Sequence, residues 1–300
     1  MASQHPAAPR QHAPHAHHHD GPRPDDTHLA ELLDLDAEVL HEQLDGLTAW
    51  AAELTDGTPP RRILDLGSGT GTGTFALLKR FESAEAEAVD ASPQLLQHLA
   101  DRARALGLAD RVHPVRADLD TTWPAAVGTV DLVWASASLH HLADPDRTLR
   151  EAFAALRPGG LLLAIEMDSV PFPRFLPHEL GLGRPGLEER CHAALTHRHG
   201  GDLPDLGSDW GPRLAGAGFT VEAERELAVD LRAPLPAAAG RYAQAALQRM
   251  RGGLDGSLSA EDLTTLDLLI SDDGPESVRH RTDLVVRTRR LAWAARRPSS

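Results

Sequence analysis

Apolar residues between His28 and Leu54 recur mostly every three or four positions, at Leu29, Leu32, Leu33, Val39, Leu40, Leu44, Leu47 and Trp50. That spacing predicts an amphipathic helix or a helix pair, and Gly57, Pro59 and Pro60 end it. The pattern then changes to short apolar runs alternating with helical stretches, the signature of βαβ units and a parallel sheet. Strands are predicted at 62–66, 85–90, 112–117, 130–135 and 161–166, with helices at 73–82, 93–106 and 146–156. Ser92-Pro93 supplies a cap and a first-turn proline for one helix, and Pro158-Gly159-Gly160 reads as a stop between a helix and the next strand.

Beyond Glu166 the stretch 168–210 is rich in Pro, Gly and His, with one helical segment from Leu187 to His199. A short helix from Asp209 to Ala217, a strand from Phe219 to Leu231 and a last strand from Leu284 to Ala295 follow. Between those strands lie helical patterns at 237–250 and 260–270, the second opened by Ser259 with Asp262 three residues on. Long insertions in a compact domain are usually lids or binding segments, so 168–210 and 236–278 are expected to cover a cleft or to form an oligomer interface. Residues 1–26, made largely of Pro, His, Ala and Asp, are expected to be a disordered tail.

Composition narrows the function classes. The chain has 300 residues and is 41% hydrophobic, enough for a substantial core. With 44 acidic against 30 basic residues its formal charge is −14, a field that repels nucleic acid and anionic membranes, so neither is expected as a partner. A single cysteine, Cys191, rules out an intrachain disulfide. The apolar run Leu161 to Ile165 is far too short for a membrane span, and no apolar targeting segment follows the N-terminus, so a soluble cytoplasmic protein is expected. His15, His17, His18 and His19 lack fixed geometry, and only Cys191-His192 and His197-x-His199 show close ligand spacing, so no metal site is expected.

The most informative segment is Ile63-Leu64-Asp65-Leu66-Gly67-Ser68-Gly69-Thr70-Gly71-Thr72-Gly73-Thr74, passing from a buried strand into a helix. Alternate glycines let backbone approach a ligand and take positive φ, which implies a nucleoside or dinucleotide site. A pyrophosphate fingerprint needs G-x-G-x-x-G or a final Ala, yet the sixth residue is Thr72 counted from Gly67 and Thr74 counted from Gly69. A nicotinamide-dependent oxidoreductase is thereby disfavoured, whereas Asp65, Gly67, Gly69 and Gly71 complete D-x-G-x-G-x-G.

This segment resembles motif I of the class I S-adenosylmethionine-dependent methyltransferases. Downstream positions extend the resemblance: Asp90 with Ala91 at the end of the second strand, Asp118 with Leu119 after the third, Asp131 to Ser136 with Ala135 as the fourth, then Leu139-His140-His141-Leu142 and Leu156-Arg157-Pro158-Gly159-Gly160. A carboxylate at Asp90 can accept from both ribose hydroxyls; either Asp90 or Asp118 could instead simply cap a helix.

The resemblance covers residues 60–167 firmly and the final strands loosely. It implies a Rossmann-like seven-strand sheet, mostly parallel with the last strand antiparallel, helices on both faces and helical lid insertions. The implied organisation is a tail at 1–26, a helical cap at 27–58 and a methyltransferase domain at 59–300. It further implies S-adenosyl-L-methionine as cofactor, with Asp65, Gly67, Ser68, Gly69, Gly71, Asp90, Ala91, Asp118, Leu119 and Ala135 around it. Asp118 would reach the adenine amino group and Ala135 would lie beside the sulfonium.

His140 or His141 is the candidate general base, a neutral imidazole being suited to take a proton near pH 7; the alternative is a packing or backbone-bonding role. Glu166 and Asp168 are expected to face the pocket, and Arg174, His178, His192, His197 and His199 are candidates to enter it from above, against a general His bias in the composition. No Asn/Asp-Pro-Pro-aromatic motif follows the fourth strand, so by the resemblance the acceptor is oxygen, nitrogen or carbon of a small metabolite. A protein that binds the cofactor without turning it over shares every one of these features.

Overall fold

A computed structural model describes residues 25–299 apart from 56, 126, 170, 171, 200–202 and 204. The expected tail, with His15, His17, His18 and His19, lies outside the described residues except for Asp25 and Asp26, which open the first helix. The helix pair is α1 (Asp25–Val39) and α2 (His41–Leu54). The alternating region gives β1 (Arg62–Leu66), α3 (Thr72–Arg80), β2 (Glu85–Asp90), α4 (Pro93–Ala105), β3 (Val112–Arg116), β4 (Val130–Ser136), α5 (Pro145–Ala155) and β5 (Leu156–Met167). The remainder gives α6 (Leu187–His199), α7 (Trp210–Gly216), β6 (Thr220–Leu231), α8 (Ala239–Gly252), α9 (Ala260–Leu269) and β7 (Val286–Arg296).

The strands form one seven-stranded sheet in the order β3-β2-β1-β4-β5-β7-β6. The first five pair in parallel, and β7 runs antiparallel to both β5 and β6. The order reverses at β1, and β4 departs on the other side, so the carboxyl ends of β1 and β4 flank the crevice where open α/β sheets hold ligands. Strand periodicity divides the apolar residues cleanly. Ile63, Leu132, Leu161 and Leu163 meet α2, α3 and α4 on one face, while Leu64, Val133, Leu162 and Ala164 meet α5 and α7 on the other.

Local chemistry sets the helix starts. The Ser92 hydroxyl accepts from Leu95 N at 3.2 Å with Pro93 in the first turn, and the Asp144 carboxylate accepts from Arg147 N at 2.9 Å ahead of Pro145. One boundary differs from the sequence reading: Pro158-Gly159-Gly160 lies inside β5 as a register irregularity, with Leu156 already paired to Val130 before pairing resumes at Leu161. Turn residues marked a bulge here, not a chain reversal.

A third apolar core joins α1, α6, α8 and α9, through Leu35, Leu187, Tyr242, Leu247 and Leu266 among others. The two insertions therefore pack with the N-terminal helix as a cap beside the carboxyl edge of the sheet. No helix among the described residues is long and apolar enough to cross a membrane.

Candidate functional site

The crevice at the switch point is a cavity of about 1600 Å³, well above the usual range of small-molecule sites and large enough for two ligands. Asp65, Gly67, Ser68, Gly69, Asp90, Ala91, Asp118, Leu119, His140 and His141 all line it. Two expected residues do not. Gly71, at φ 80°, is the N-cap of α3 and turns against Leu99 and Phe75. Ala135 has no exposed surface and packs in the apolar core on the α5 side, leaving Trp134, Ser136 and Ala137 to line the cavity near it.

The glycine loop has a steric reason. At Gly67 (φ 69°) a Cβ would stand 2.5 Å from Ser138 Cβ, and at Gly69 (φ 54°) it would stand 3.0 Å from Leu33 of α1. The loop is thus clamped between the β4 exit segment and the cap, with room only for backbone. Asp90 holds it from the side: one carboxylate oxygen accepts from Gly69 N at 2.9 Å and the other from Ser92 N at 2.8 Å. Asp118, exposed at the rim, accepts from Asp120 N at 3.0 Å.

Beneath the loop, Asp65 accepts from the Thr74 hydroxyl at 2.5 Å. Burial pushes its carboxyl up to about 7, against the Thr74 hydrogen bond and with the nearby Asp90 charge adding to the rise. Ser68 Oγ and Thr70 Oγ1 are buried with no hydrogen-bond partner among the described residues. A backbone-only cradle, orphaned hydroxyls and two carboxyl groups suit a polar nucleoside with a cationic tail. The residues present therefore fit S-adenosylmethionine.

The two histidines differ sharply. His140, 4% exposed, places Nδ1 2.5 Å from Glu166 Oε2, while Glu166 Oε1 accepts from Ser138 N at 3.1 Å and Leu139 N at 2.8 Å. Glu166 is 1% exposed and lies behind the cavity wall. The expectation that its carboxylate faces the pocket is corrected: side-chain alternation along β5 sends Glu166 to the face that holds Leu139, where three donors converge on it. His140 Nε2 is neither occluded nor bonded to any described residue, so the ring presents that nitrogen to the cavity. His141 is exposed toward the cavity, yet protein around the rest of its ring, together with His140 and Arg249, holds it down at about 4.

Other sequence candidates fall elsewhere. Asp168 pairs with Arg289 at 3.1 Å, outside the cavity lining. Arg174 bridges to Arg287 through its backbone, His178 faces Glu189 at 3.4 Å, and His197 is exposed. His192 is buried in the cap, where desolvation first and the Arg174 charge second bring it down to about 4. None of these four lines the cavity, and nothing is described of the His199 side chain.

The sequence reading missed the wall opposite the loop. Asp36 of α1 accepts from the Tyr242 hydroxyl at 2.5 Å and from Arg290 Nη2 at 2.7 and 2.9 Å, and all three residues line the cavity beside Met167. One signal was available: Asp36 interrupts the apolar stripe of Leu29, Leu32, Leu33 and Leu40, at helical spacing. Asp34, two residues earlier, accepts from His98 of α4 at 2.8 Å and pairs with Arg102, which also reaches Thr70 O.

Comparison with known proteins agrees with this geometry. Residues 63–160 match the family model described as a methyltransferase domain. The chain is 33% identical over 127 residues to a ubiquinone/menaquinone biosynthesis C-methyltransferase of Roseobacter denitrificans, covering 41% of this chain and 50% of that one. It is 35% identical over 182 residues to a malonyl-[acyl-carrier protein] O-methyltransferase of Halorhodospira halophila, covering 58% and 57%. The chain thus spans about half the length of the curated relatives it matches. Among solved structures, a protein of Galdieria sulphuraria provisionally assigned as a sarcosine dimethylglycine methyltransferase shares the fold, with a TM-score of 0.55 at 17% identity over 92% of this chain and 98% of that one.

Proposed function

We propose that the chain, whose residues 63–160 match a methyltransferase domain, is a class I S-adenosylmethionine-dependent methyltransferase that transfers a methyl group to oxygen or carbon of a small molecule. A single observation carries the reading: His140, tied through Nδ1 to buried Glu166, presents Nε2 to the same cavity that holds the glycine loop.

When bound, S-adenosylmethionine supplies an electrophilic methyl on a sulfonium, so the protein's work is chiefly to hold the two partners in line. Gly67, Gly69, Asp90 and Asp118 would hold the nucleoside, and Asp65 lies beneath the loop for the cationic end. A carboxylate on Nδ1 keeps the neutral ring's hydrogen there and leaves the Nε2 lone pair for a proton from the acceptor. Glu166 is thus a positioning residue and His140 the catalytic base, a role worth roughly 10²–10⁴ in rate. His141, held at about 4, stays neutral near pH 7 and adds no charge beside the acceptor. The cap packs beside the crevice, where closer seating over bound ligands would exclude water.

The test is calorimetric titration of S-adenosylmethionine, S-adenosylhomocysteine and NAD, repeated on Asp90→Ala. The reading requires binding of both sulfur nucleosides, none of NAD, and weaker binding by the variant. Failure of both sulfur nucleosides to bind defeats it.

A further inference from the structure

We propose that the methyl acceptor is a neutral, largely apolar hydroxy compound whose body lies between α1 and α8 against Leu29 and Leu32 and whose hydroxyl donates to His140 Nε2; the inference deepens the methyltransferase reading and rests on it. The cavity of about 1600 Å³ exceeds the roughly 300–1,000 Å³ of a single small-molecule site, so a second ligand has room beside the cofactor. One wall of that room is apolar for a reason that core packing does not supply. Leu29, Leu33 and Ala37 line it at helical spacing along α1, with Leu32 beside them, while Leu35 and Val39 on the neighbouring stripe enter the cap core. Leu29 is half-buried, lines the cavity and belongs to none of the three apolar cores formed by the described residues.

The register of the two cap helices carries this wall to the chemistry. Helix α8 packs along α1 in the opposite direction, because Asp36 meets Tyr242 and Glu38 meets Arg241 at 3.5 Å. Counting back from Asp36 to Leu29 on α1 and forward from Tyr242 to Arg249 on α8 spans the same number of residues. Both helices rise about 1.5 Å per residue, so Leu29 and Arg249 stand level. Arg249 and Gly253 line the cavity there, and Arg249 is close enough to His141 to help hold its ring neutral. His141 lies against His140, with ring centroids 4.1 Å apart. The leucines of α1 therefore open on the same recess as the imidazole that presents Nε2.

The charges of this region are committed within the protein. Both oxygens of Asp36 accept from Arg290 Nη2, the Tyr242 hydroxyl also donates to Asp36, and Arg290 Nε is occluded. Arg249 has a partner within the protein, and His141, held at about 4, is neutral near pH 7. An ionised acceptor would lose its water shell here without gaining a free counter-charge, a net cost that an uncharged molecule escapes. The wall offers apolar contact and His140 offers a lone pair, so the complementary molecule brings an apolar body and a hydroxyl to donate. A phenolic hydroxyl, with a pKa of about 10, is uncharged at neutral pH and acidic enough to yield its proton to an imidazole, which makes simple phenols suitable probes.

The test titrates 4-ethylphenol, 4-butylphenol and 4-butylbenzoate by calorimetry into the full chain saturated with S-adenosylhomocysteine at about pH 7.5, where the phenols are neutral and the benzoate is an anion. 4-Butylphenol is expected to bind at least about fivefold more tightly than 4-ethylphenol, two fully buried methylenes accounting for up to about fifteenfold. It is also expected to bind at least about tenfold more tightly than 4-butylbenzoate, by avoiding burial of an unpaired charge, and to shift the His140 Nε2 signal in a long-range ¹H–¹⁵N spectrum. These three readouts need no variant. Leu29→Gln keeps a helix-forming side chain of similar length and is expected to cut the ethyl-to-butyl gain at least about twofold, as apolar contact is lost, with S-adenosylhomocysteine affinity unchanged. Benzoate binding as tight as the phenol, no gain from ethyl to butyl, an unmoved Nε2 signal, or a gain undiminished in Leu29→Gln overturns the inference. Binding of none of the probes overturns it too, as when the leucine wall is covered by another part of the chain or by a second copy. S-adenosylhomocysteine that binds while the probes fail defeats this inference alone, whereas loss of nucleoside binding defeats the methyltransferase reading beneath it.

Discussion

Glu166→Gln is nearly isosteric and removes one buried charge. Ser138 N and Leu139 N both bind Oε1, at 3.1 and 2.8 Å, so in the variant those two donors claim the amide oxygen. The amide NH₂ then turns toward His140 Nδ1, now 2.5 Å from Oε2, and can only donate to it. His140 must become the acceptor at Nδ1 and carry its hydrogen on Nε2, which removes the lone pair from the cavity. Hydrogen bonds to a charged group contribute about 1.5–3 kcal/mol and neutral ones about 0.5–1.5. With some desolvation recovered, the net loss of stability is about 1–3 kcal/mol, measurable by urea unfolding. Long-range ¹H–¹⁵N correlation reads the tautomer directly and needs no acceptor: unmodified protein is expected to show the Nδ1–H form of His140 and the variant the Nε2–H form. Once an acceptor is in hand, kcat is expected to fall at least 100-fold in the range assigned to a general base, with S-adenosylmethionine affinity unchanged. An Nδ1–H signal that persists in Glu166→Gln would refute the reasoning, because the carboxylate would then not be what sets the ring.

Three further outcomes are expected. Asp65 is raised from 3.8 to about 7 in the folded chain, so the native state holds the extra proton, and stability falls as pH climbs through that window and levels above it. Asp65→Asn lacks this loss, on the order of 4 kcal/mol at about 1.4 kcal/mol per unit, so its melting temperature should gain on the unmodified protein between pH 4 and 7 and hold the gain at pH 8; a pH-independent difference would contradict the assignment. Gly67→Ala forces a left-handed alanine, costing about 1–2 kcal/mol, and sets its Cβ 2.5 Å from Ser138 Cβ; S-adenosylhomocysteine affinity should drop at least tenfold by calorimetry. Asp34→Ala removes the pairs to Arg102 and His98, which are partly exposed and contribute about 0–1 kcal/mol to stability, yet stopped-flow release of S-adenosylhomocysteine should accelerate several-fold.

Short-range signals made the cofactor half of the site legible. β1, its glycine loop and Asp90 are specified by an apolar run, by residues without Cβ and by a strand-end carboxylate, all within thirty positions of one another. Contacts between distant segments were not legible: Tyr242 lies 206 residues from Asp36, and Arg290 lies 254 from it. Nothing in local periodicity says which remote side chain answers a buried aspartate. Glu166 was an intermediate case. Its position at the end of β5 was readable, but only the alternation of Leu162 and Ala164 toward the Leu139 face shows that the carboxylate turns inward. The His-rich insertion misled for a simpler reason, because composition supplied several histidines and packing drew none of His178, His192 and His197 to the cavity.

Helix α1 is pinned on one side through Asp34 to α4 and on the other through Asp36 to β7 and α8, and Leu33 rests on the glycine loop between them. Both ligand regions therefore lie under a single fastening. A motion that lifted this helix would open both regions together. Under the proposed function, exchange of spent nucleoside and departure of methylated product would then share one door.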